Sequence, residues 1–290
     1  MEMGQQDDES STSEDEVACF EDDTDSFMQR KRQFVFSGLL PVVLNQDFVS
    51  VEGTGGAVWR SSIQFSEFVC SEEGRRCLPL KGKSLLEVSS GLGLAAIVAW
   101  HLGATPVVAT DIDSVNSPMT LLARNVAENC GRAAATKPDS ILSLRNSPVG
   151  QGSGDRERAA ETREKKPRTT PSQTKGSSPP RVQSLRWGDG AQLAEALAHF
   201  GGFGPDVVLA CDVVFDASFL PALEETLAEA CALPTRNGAR PCLCLSHQKR
   251  SRVREDSFFA GLAKRLGPGE WRMVHQRDEL SVLIFIFALL

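Results

Sequence analysis

The chain has 290 residues, 41% of them hydrophobic, and carries a formal net charge of −7. This apolar fraction suits a globular protein with a substantial core, and the negative charge excludes a global basic field of the kind that attracts nucleic acid. The eight cysteines lack zinc-ligand spacing, so we expect reduced thiols in a cytoplasmic or nuclear protein without a metal site.

Two polar segments lie before and within the region that has strand and helix patterns. Residues 1–26 hold eleven Asp or Glu and neither Lys nor Arg, and residues 131–180 are rich in Ser, Pro, Gly, Arg and Lys. Neither composition buries enough apolar surface to offset the entropy of ordering the chain. We predict a disordered acidic tail at 1–26 and a single domain over 27–290, interrupted by a disordered insertion at about 131–180.

Strands and helices alternate along the rest of the chain. The patterns predict a hairpin at 33–45, strands at 84–90, 106–111, 181–187, 206–212 and 241–247, helices at 94–102, 114–129, 218–231 and 255–266, and a terminal strand pair at 271–276 and 281–289. The last run is too short for a membrane helix, and we expect no membrane contact. This order predicts an α/β fold: a doubly wound, Rossmann-like and mostly parallel sheet with a C-terminal antiparallel hairpin.

The segment LLEVSSGLGLAAI (85–97) carries the sharpest local signal. A strand ends, glycines turn the chain, and a helix begins. Because Gly91 and Gly93 have no Cβ, a ligand can approach their backbone closely, next to a helix N-terminus that favours polar groups. Asp111 ends the next strand twenty residues after Gly91, where a carboxylate can accept both hydroxyls of a ribose. The pattern predicts a nucleoside ligand.

These spacings do not identify the nucleoside. Residues 91–96 read Gly-Leu-Gly-Leu-Ala-Ala, which also satisfies the dinucleotide pattern G-x-G-x-x-A. Glu87 favours a different ligand. An acidic residue just before the glycine turn is typical of methyltransferases, whose ligand carries a methionine ammonium group, whereas it would repel a pyrophosphate.

Further segments resemble one known family. They are GTGGAVWRSS (53–62), LRWGD (185–189) and PDVVLACDVVFD (205–216). Together with the glycine turn and Asp111, they resemble the methyltransferase-16 family of seven-strand enzymes, which includes the methyltransferase-like 21 group. Most of these enzymes methylate lysines on non-histone proteins. The resemblance runs in order from about residue 33 to the C-terminus, interrupted by the insertion.

The resemblance implies S-adenosylmethionine as cofactor and a set of site residues. Carried over by position, the cofactor contacts are Trp59, Ser89, Ser90, Gly91, Asp111, Trp187 and Cys211, beside Glu87 and Gly93 of the glycine turn. Asp212 and Phe215 match the ends of the family's D-x-x-Y/F motif, beside the acceptor lysine. We expect Asp212 to orient the acceptor amine and Phe215 to form one wall of its channel.

Two positions depart from the family pattern. The family has Gly where this chain has Ser89, and a position that needs φ above 0° would make Ser unfavourable there. The aromatic of the acceptor motif is Phe215, in a chain without any tyrosine, which excludes a mechanism that needs a phenolic hydroxyl.

The predicted function is therefore methyl transfer to a protein lysine. By analogy with the family, the substrate protein is a chaperone ATPase or a translation factor, and we expect a monomer without a nucleic acid partner. Three alternatives stay open: an arginine or histidine acceptor, a catalytically weak methyltransferase-like binding protein, and an NAD-dependent oxidoreductase. Ser89 favours the binding protein, and the absence of a proton-relay tyrosine weighs against the oxidoreductase.

Overall fold

A seven-stranded sheet forms the centre of the computed structural model, which describes residues 24–135, 178–277 and 281–289. The helices are α1 (Thr24–Met28), α2 (Arg60–Cys70), α3 (Glu72–Cys77), α4 (Leu94–His101), α5 (Met119–Ala135), α6 (Gly190–Ala198), α7 (Leu220–Ala230) and α8 (Arg252–Leu266). The strands are β1 (Lys31–Phe34), β2 (Val42–Asn45), β3 (Leu85–Val88), β4 (Val107–Asp111), β5 (Arg181–Ser184), β6 (Val207–Cys211), β7 (Cys242–Gln248), β8 (Gly269–Arg277) and β9 (Val282–Leu289).

The order of the strands defines where the sheet changes direction. It is β5-β4-β3-β6-β7-β9-β8, with the strands from β5 to β7 parallel and β9 antiparallel to both of its neighbours. The chain leaves β3 toward β4 and later leaves β6 toward β7, on the opposite side. Doubly wound sheets bind their ligands at such a switch point, outside the carboxyl ends of the strands. The fold predicted from the sequence is confirmed, including the antiparallel hairpin.

Apolar side chains alternate between the two faces of the sheet. In β3, Leu85 belongs to the core layer beneath α2, α4 and α5, and Leu86 to the layer beneath α6, α7 and α8. In β6, Leu209 and Val208 divide in the same way. All four side chains are fully buried. Helices therefore cover both faces of the sheet, and the edge formed by the carboxyl ends of the strands is left for a site.

Three local features differ from the sequence prediction. Helices α2 and α3 were not predicted, although Phe65 and Phe68 of α2 are buried in the core. Helix α5, predicted to begin at residue 114, begins at Met119. Residues 114–117 form a turn in which Ser117 N–H donates to the Ser114 carbonyl, and the helix begins only after Pro118, a residue that suits the first turn of a helix.

The segment boundaries also differ from the prediction. Helix α1 starts at Thr24, inside the predicted tail, and α5 continues to Ala135, inside the predicted insertion. Residues 178–180 are also described, and Trp100 donates its indole N–H to the Ser178 carbonyl at 2.8 Å. The rest of the predicted tail and insertion lies outside the described residues. None of the helices in the described part of the chain has the length and apolar character needed to cross a bilayer.

Candidate functional site

The turn between β3 and α4 is held by backbone contacts with β4. Ser90 N–H donates to the Thr110 carbonyl at 2.7 Å, and Thr110 N–H donates to the Ser90 hydroxyl at 3.1 Å. Gly91 has a φ of +53°, and a Cβ built there meets nothing nearer than the Gly55 carbonyl oxygen at 3.8 Å. Gly91 therefore supplies a left-handed backbone beside open space.

Gly93 has a different role from Gly91. It precedes α4 with a φ of +85°, and a Cβ there would lie 2.6 Å from Leu122 Cδ1. Glycine at this position therefore serves the close packing of α4 against α5, and Gly93 does not line the cavity next to the turn.

That cavity lies at the switch point of the sheet and is narrow, with a volume of about 40 Å³ accessible to water. It brings together six of the predicted cofactor contacts with residues of the segment before α2. The lining consists of Ala57, Val58, Trp59, Ser62, Glu87, Ser89, Ser90, Gly91, Leu92, Leu94 and Cys211. Asp111 and Trp187 do not line it, but each makes a hydrogen bond to a residue that does.

Glu87 places a carboxyl group in the wall of this cavity. The side chain is 1% exposed and accepts the backbone N–H of Ala96, in the first turn of α4, at 3.0 Å. Burial raises the pKa of this carboxyl to about 8. Hydrogen bonds from Ser90 and Ala96 act in the opposite direction but do not outweigh the effect of burial. Among the described residues Glu87 has no ion-pair partner. A cation in the cavity would supply one.

Asp111 connects the end of β4 to the glycine turn. One carboxylate oxygen accepts Gly91 N–H at 2.7 Å and the other accepts Ile112 N–H at 2.8 Å. Burial raises the pKa of this carboxyl to about 6, against these two bonds. A carboxylate offers about four acceptor directions, so two donors from the chain leave directions for ligand hydroxyls.

Ser89 adopts the conformation that disfavours a side chain. Its φ is +58°, in the left-handed region. The hydroxyl accepts the indole N–H of Trp187 at 2.9 Å, which fixes that ring beside the turn. Where the family pattern has Gly, this chain therefore combines a strained backbone with a side-chain hydrogen bond.

Asp212, which the sequence analysis expected to orient the acceptor amine, is paired with an arginine that the sequence analysis did not predict. It follows β6 with a φ of +59°, and its side chain is 4% exposed. Arg250 Nη1 lies 2.6 Å from Oδ1 and Nη2 lies 2.8 Å from Oδ2, a bidentate pair. Asp212 does not cap α7; Asp216 is the residue that accepts the N–H of Ser218 before that helix.

Phe215 lies at the exposed end of the acceptor motif. Its side chain is 39% exposed, and its ring centroid is 6.2 Å from that of Trp187. Arg254 donates to the Phe215 carbonyl and so ties this loop to the start of α8. Cys211, by contrast, lies in the cavity wall, and burial raises the pKa of its thiol well above the ordinary value. It is not a thiolate nucleophile.

A second, larger cavity, with a volume of about 340 Å³ accessible to water, lies beside the segment after β4. Its polar lining includes Asp47, Asp113 and Asn116 and none of the predicted site residues. The described residues contain no cluster of His, Cys, Asp or Glu that could hold a metal ion.

The comparisons with known proteins add structural similarities only. No family model and no curated protein matches the chain. A ribosomal protein L11 methylase from Lactobacillus delbrueckii subsp. bulgaricus matches with 14% identity over 78% of this chain and 79% of that one, with a TM-score of 0.43. A putative SAM-dependent methyltransferase from Streptococcus mutans matches with 11% identity over 89% of this chain and 55% of that one, with a TM-score of 0.49.

TrmN from Thermus thermophilus matches with 16% identity over 79% of this chain and 49% of that one, with a TM-score of 0.41. This chain therefore spans about half the length of two of the three proteins. At these identities and TM-scores the activity has to be argued from the residues of the chain itself, and membership of the methyltransferase-16 family stays a prediction.

Proposed function

We propose that this chain is an S-adenosylmethionine-dependent methyltransferase whose acceptor is a lysine side chain of a non-histone protein. The observation that carries the proposal is the cavity at the switch point, which combines an open glycine turn with the buried carboxyl group of Glu87, for which the described residues provide no ion-pair partner. Doubly wound folds bind nucleoside ligands at this place.

The residues at the site fit this cofactor. Glu87 would pair with the methionine ammonium group, whose charge compensates the buried carboxylate. Asp111 would accept the ribose hydroxyls through the directions that Gly91 and Ile112 leave. The backbone of Gly91, turned by its positive φ toward open space, would allow the close approach that a Cβ would hinder.

S-adenosylmethionine supplies an electrophilic methyl group on a sulfonium. The protein has to hold an acceptor nucleophile in line with that group, since proximity and orientation lower the barrier. A lysine amine has an ordinary pKa of about 10.4 and must lose a proton before it attacks. Asp212 lies directly after Cys211, which lines the cavity, and would orient the amine there. The exposed ring of Phe215 would hold the side chain that carries it.

The lysine acceptor of this chain rests on the resemblance of its D-x-x-F motif. A catalytically weak binding protein is the second candidate, and the left-handed φ of Ser89 is the observation that favours it.

Transfer of a labelled methyl group from S-adenosylmethionine into cell-extract proteins tests the proposal, followed by mass spectrometry of the modified residue. We expect label in a protein band, on lysine, that ribonuclease treatment leaves in place. Label on arginine or histidine would correct the acceptor. Label that ribonuclease removes, or no transfer above that of the heat-treated chain, would contradict the proposal.

A further inference from the structure

The pair of Asp212 and Arg250 lies beside the cavity of the proposed cofactor. The two terminal guanidinium nitrogens, Nη1 and Nη2, donate to the carboxylate at 2.6 and 2.8 Å. The Arg250 Cζ atom also lies 5.9 Å from the centroid of the Trp59 ring, within the distance at which a cation is attracted to an aromatic face. Trp59 itself lines the cavity. A buried carboxylate and an aromatic face thus hold one cation at its edge.

The backbone of Arg250 is anchored separately from its side chain. Glu255, near the start of α8, accepts the backbone N–H of Arg250 and, at 2.8 Å, that of Ser251. Its Oε1 also lies 3.0 Å from His247 Nε2, within ion-pair distance although not in hydrogen-bonding geometry. Burial raises the pKa of Glu255, but these contacts outweigh it and lower the pKa to about 2. The loop therefore keeps its place when the guanidinium moves.

The side chain of Arg250 is only partly buried. It is 20% exposed, and its guanidinium also donates to the carbonyl and the side-chain oxygen of Gln248 at 3.3 Å. Rotation of this side chain toward solvent would release Asp212 without moving the backbone.

The same carboxylate is the one proposed to orient the acceptor amine. The bidentate guanidinium takes two of the acceptor directions of Asp212 and already compensates its charge, so a second cation gains little attraction there unless the guanidinium leaves. We infer that Arg250 determines which acceptors the site takes: its guanidinium occupies the cation subsite of Asp212 and Trp59, and a cationic acceptor binds by displacing it. This inference rests on the proposed function.

The need for displacement lowers the affinity of this subsite for any single cation. The incoming cation loses translational and rotational freedom when it binds, whereas Arg250, as part of the same chain, does not. Only an acceptor whose surrounding protein contributes further contacts displaces Arg250. The residue therefore selects against isolated amines and favours a lysine presented by a folded substrate.

Binding of n-butylammonium, the side-chain analogue of lysine, tests the inference on the full chain in the presence of S-adenosylhomocysteine. Dissociation constants are measured by NMR titration for the wild type, Arg250→Met and Arg250→Lys. We expect Arg250→Met to bind the probe at least about tenfold more tightly than the wild type, equivalent to about 1.4 kcal/mol, and Arg250→Lys, which cannot form the bidentate pair, to lie between them.

The control is Arg252→Met. Arg252 is two residues away, 84% exposed and 3.6 Å from Asp256, and its variant should bind the probe as the wild type does. Equal or weaker binding by Arg250→Met would overturn the inference and leave the pair a structural one. If Arg250→Met does not fold, unchanged binding by Arg250→Lys would overturn it in the same way.

The cofactor provides a separate readout. Titration of S-adenosylmethionine into the wild type tests the proposed function without an acceptor. Failure of that titration would contradict the proposed function, whereas unchanged probe binding in variants that still bind S-adenosylmethionine would contradict only the role of Arg250.

Discussion

Glu87 and Asp212 are two buried carboxyl groups at the same edge of the sheet, and the cost of burying their negative charges is met in two different ways. Glu87 is 1% exposed, lies at the cavity wall and has no ion-pair partner among the described residues, so burial raises its pKa to about 8. Asp212 is 4% exposed and holds Arg250 in a bidentate pair. Glu87 is therefore neutralised by a proton, and the charge of Asp212 is balanced by the guanidinium of Arg250.

The difference separates two kinds of ligand binding. A cationic ligand of Glu87 has only to displace a proton, because no side chain of the described residues forms an ion pair with it. A cationic ligand of Asp212 has to displace a guanidinium. The first arrangement suits a small cofactor that binds by itself, and the second suits an acceptor that arrives on a larger partner.

The largest effect should come from Asp212→Asn. This substitution keeps the size and one acceptor oxygen but removes the charge that orients the amine. We expect turnover to fall about a hundredfold, equivalent to a few kcal/mol of transition-state stabilisation, with the affinity for S-adenosylmethionine within twofold of the wild type. Initial rates at saturating cofactor and calorimetric cofactor binding measure the two quantities. Undiminished turnover in the folded variant would remove Asp212 from the reaction.

Glu87→Gln should weaken cofactor binding and stabilise the fold. Loss of the partner of a buried ammonium costs about 2 kcal/mol or more, which weakens S-adenosylmethionine binding at least about thirtyfold. In the free protein the pKa is raised from 4.5 to about 8. The folded state therefore binds more protons than the unfolded state between these values, and stability falls as the pH rises through that window.

Glutamine removes this pH-dependent loss. We expect Glu87→Gln to be more stable than the wild type by roughly 3 kcal/mol at pH 7 and to approach it at pH 4.5. Thermal or denaturant unfolding at both pH values measures the difference. Glu225→Gln, an exposed position on α7, is the matched control and should change neither quantity. Equal stability of Glu87→Gln and wild type at pH 7 would show that Glu87 is ionised without a ligand.

Phe215→Ala should affect the acceptor and not the cofactor. The ring is 39% exposed, and an exposed aromatic face attracts a cation by about 0.5–2 kcal/mol. We expect KM for the protein acceptor to rise roughly tenfold, with cofactor affinity unchanged, and Phe215→Tyr to keep the wild-type KM. Steady-state kinetics with the substrate found in extracts measures these values. An altered cofactor affinity would place Phe215 in the donor site instead.

The smallest effect is expected at Ser89. A left-handed residue other than Gly costs about 1–2 kcal/mol, and the hydrogen bond from Trp187 offsets about 1 kcal/mol of it. Ser89→Gly loses both the strain and the bond, so its stability should equal that of the wild type within about 1 kcal/mol. Ser89→Ala keeps the strain without the bond and should be about 1 kcal/mol less stable. Denaturant unfolding compares the two variants, and an order of stability with Ala above Gly would contradict the strain.

The residues that lie together around the glycine turn could be picked out from the sequence because their signals are local. The strand, the glycine turn and Asp111 lie within 27 residues of one another. The family pattern has Gly at position 89, which indicates a left-handed backbone there, and Ser89 has a positive φ. Helix α2 was missed because residues 53–62 were interpreted as a motif around Trp59, which precedes the helix. The apolar residues that form its buried face, such as Phe65 and Phe68, lie beyond that motif.

Arg250 could not be predicted in this way. It lies 38 residues after Asp212, in a loop whose position depends on the contacts of Glu255 with the backbone and with His247. No local pattern marks an arginine that pairs with a residue after another strand. The parallel neighbours β6 and β7 bring the two loops together, so the pair becomes visible only once the strand order is known.

Calorimetric titration of the full chain with S-adenosylmethionine, and in parallel with NAD, tests the central claim most directly. We predict one S-adenosylmethionine site and no NAD binding. Asp111→Ala should bind S-adenosylmethionine about 1.5–3 kcal/mol more weakly, since it loses charge-assisted hydrogen bonds to the ribose. Asp111→Asn, which retains an acceptor for Gly91 N–H, should lose a smaller part of the affinity. Binding of NAD in place of S-adenosylmethionine, or wild-type affinity in folded Asp111→Ala, would contradict the account.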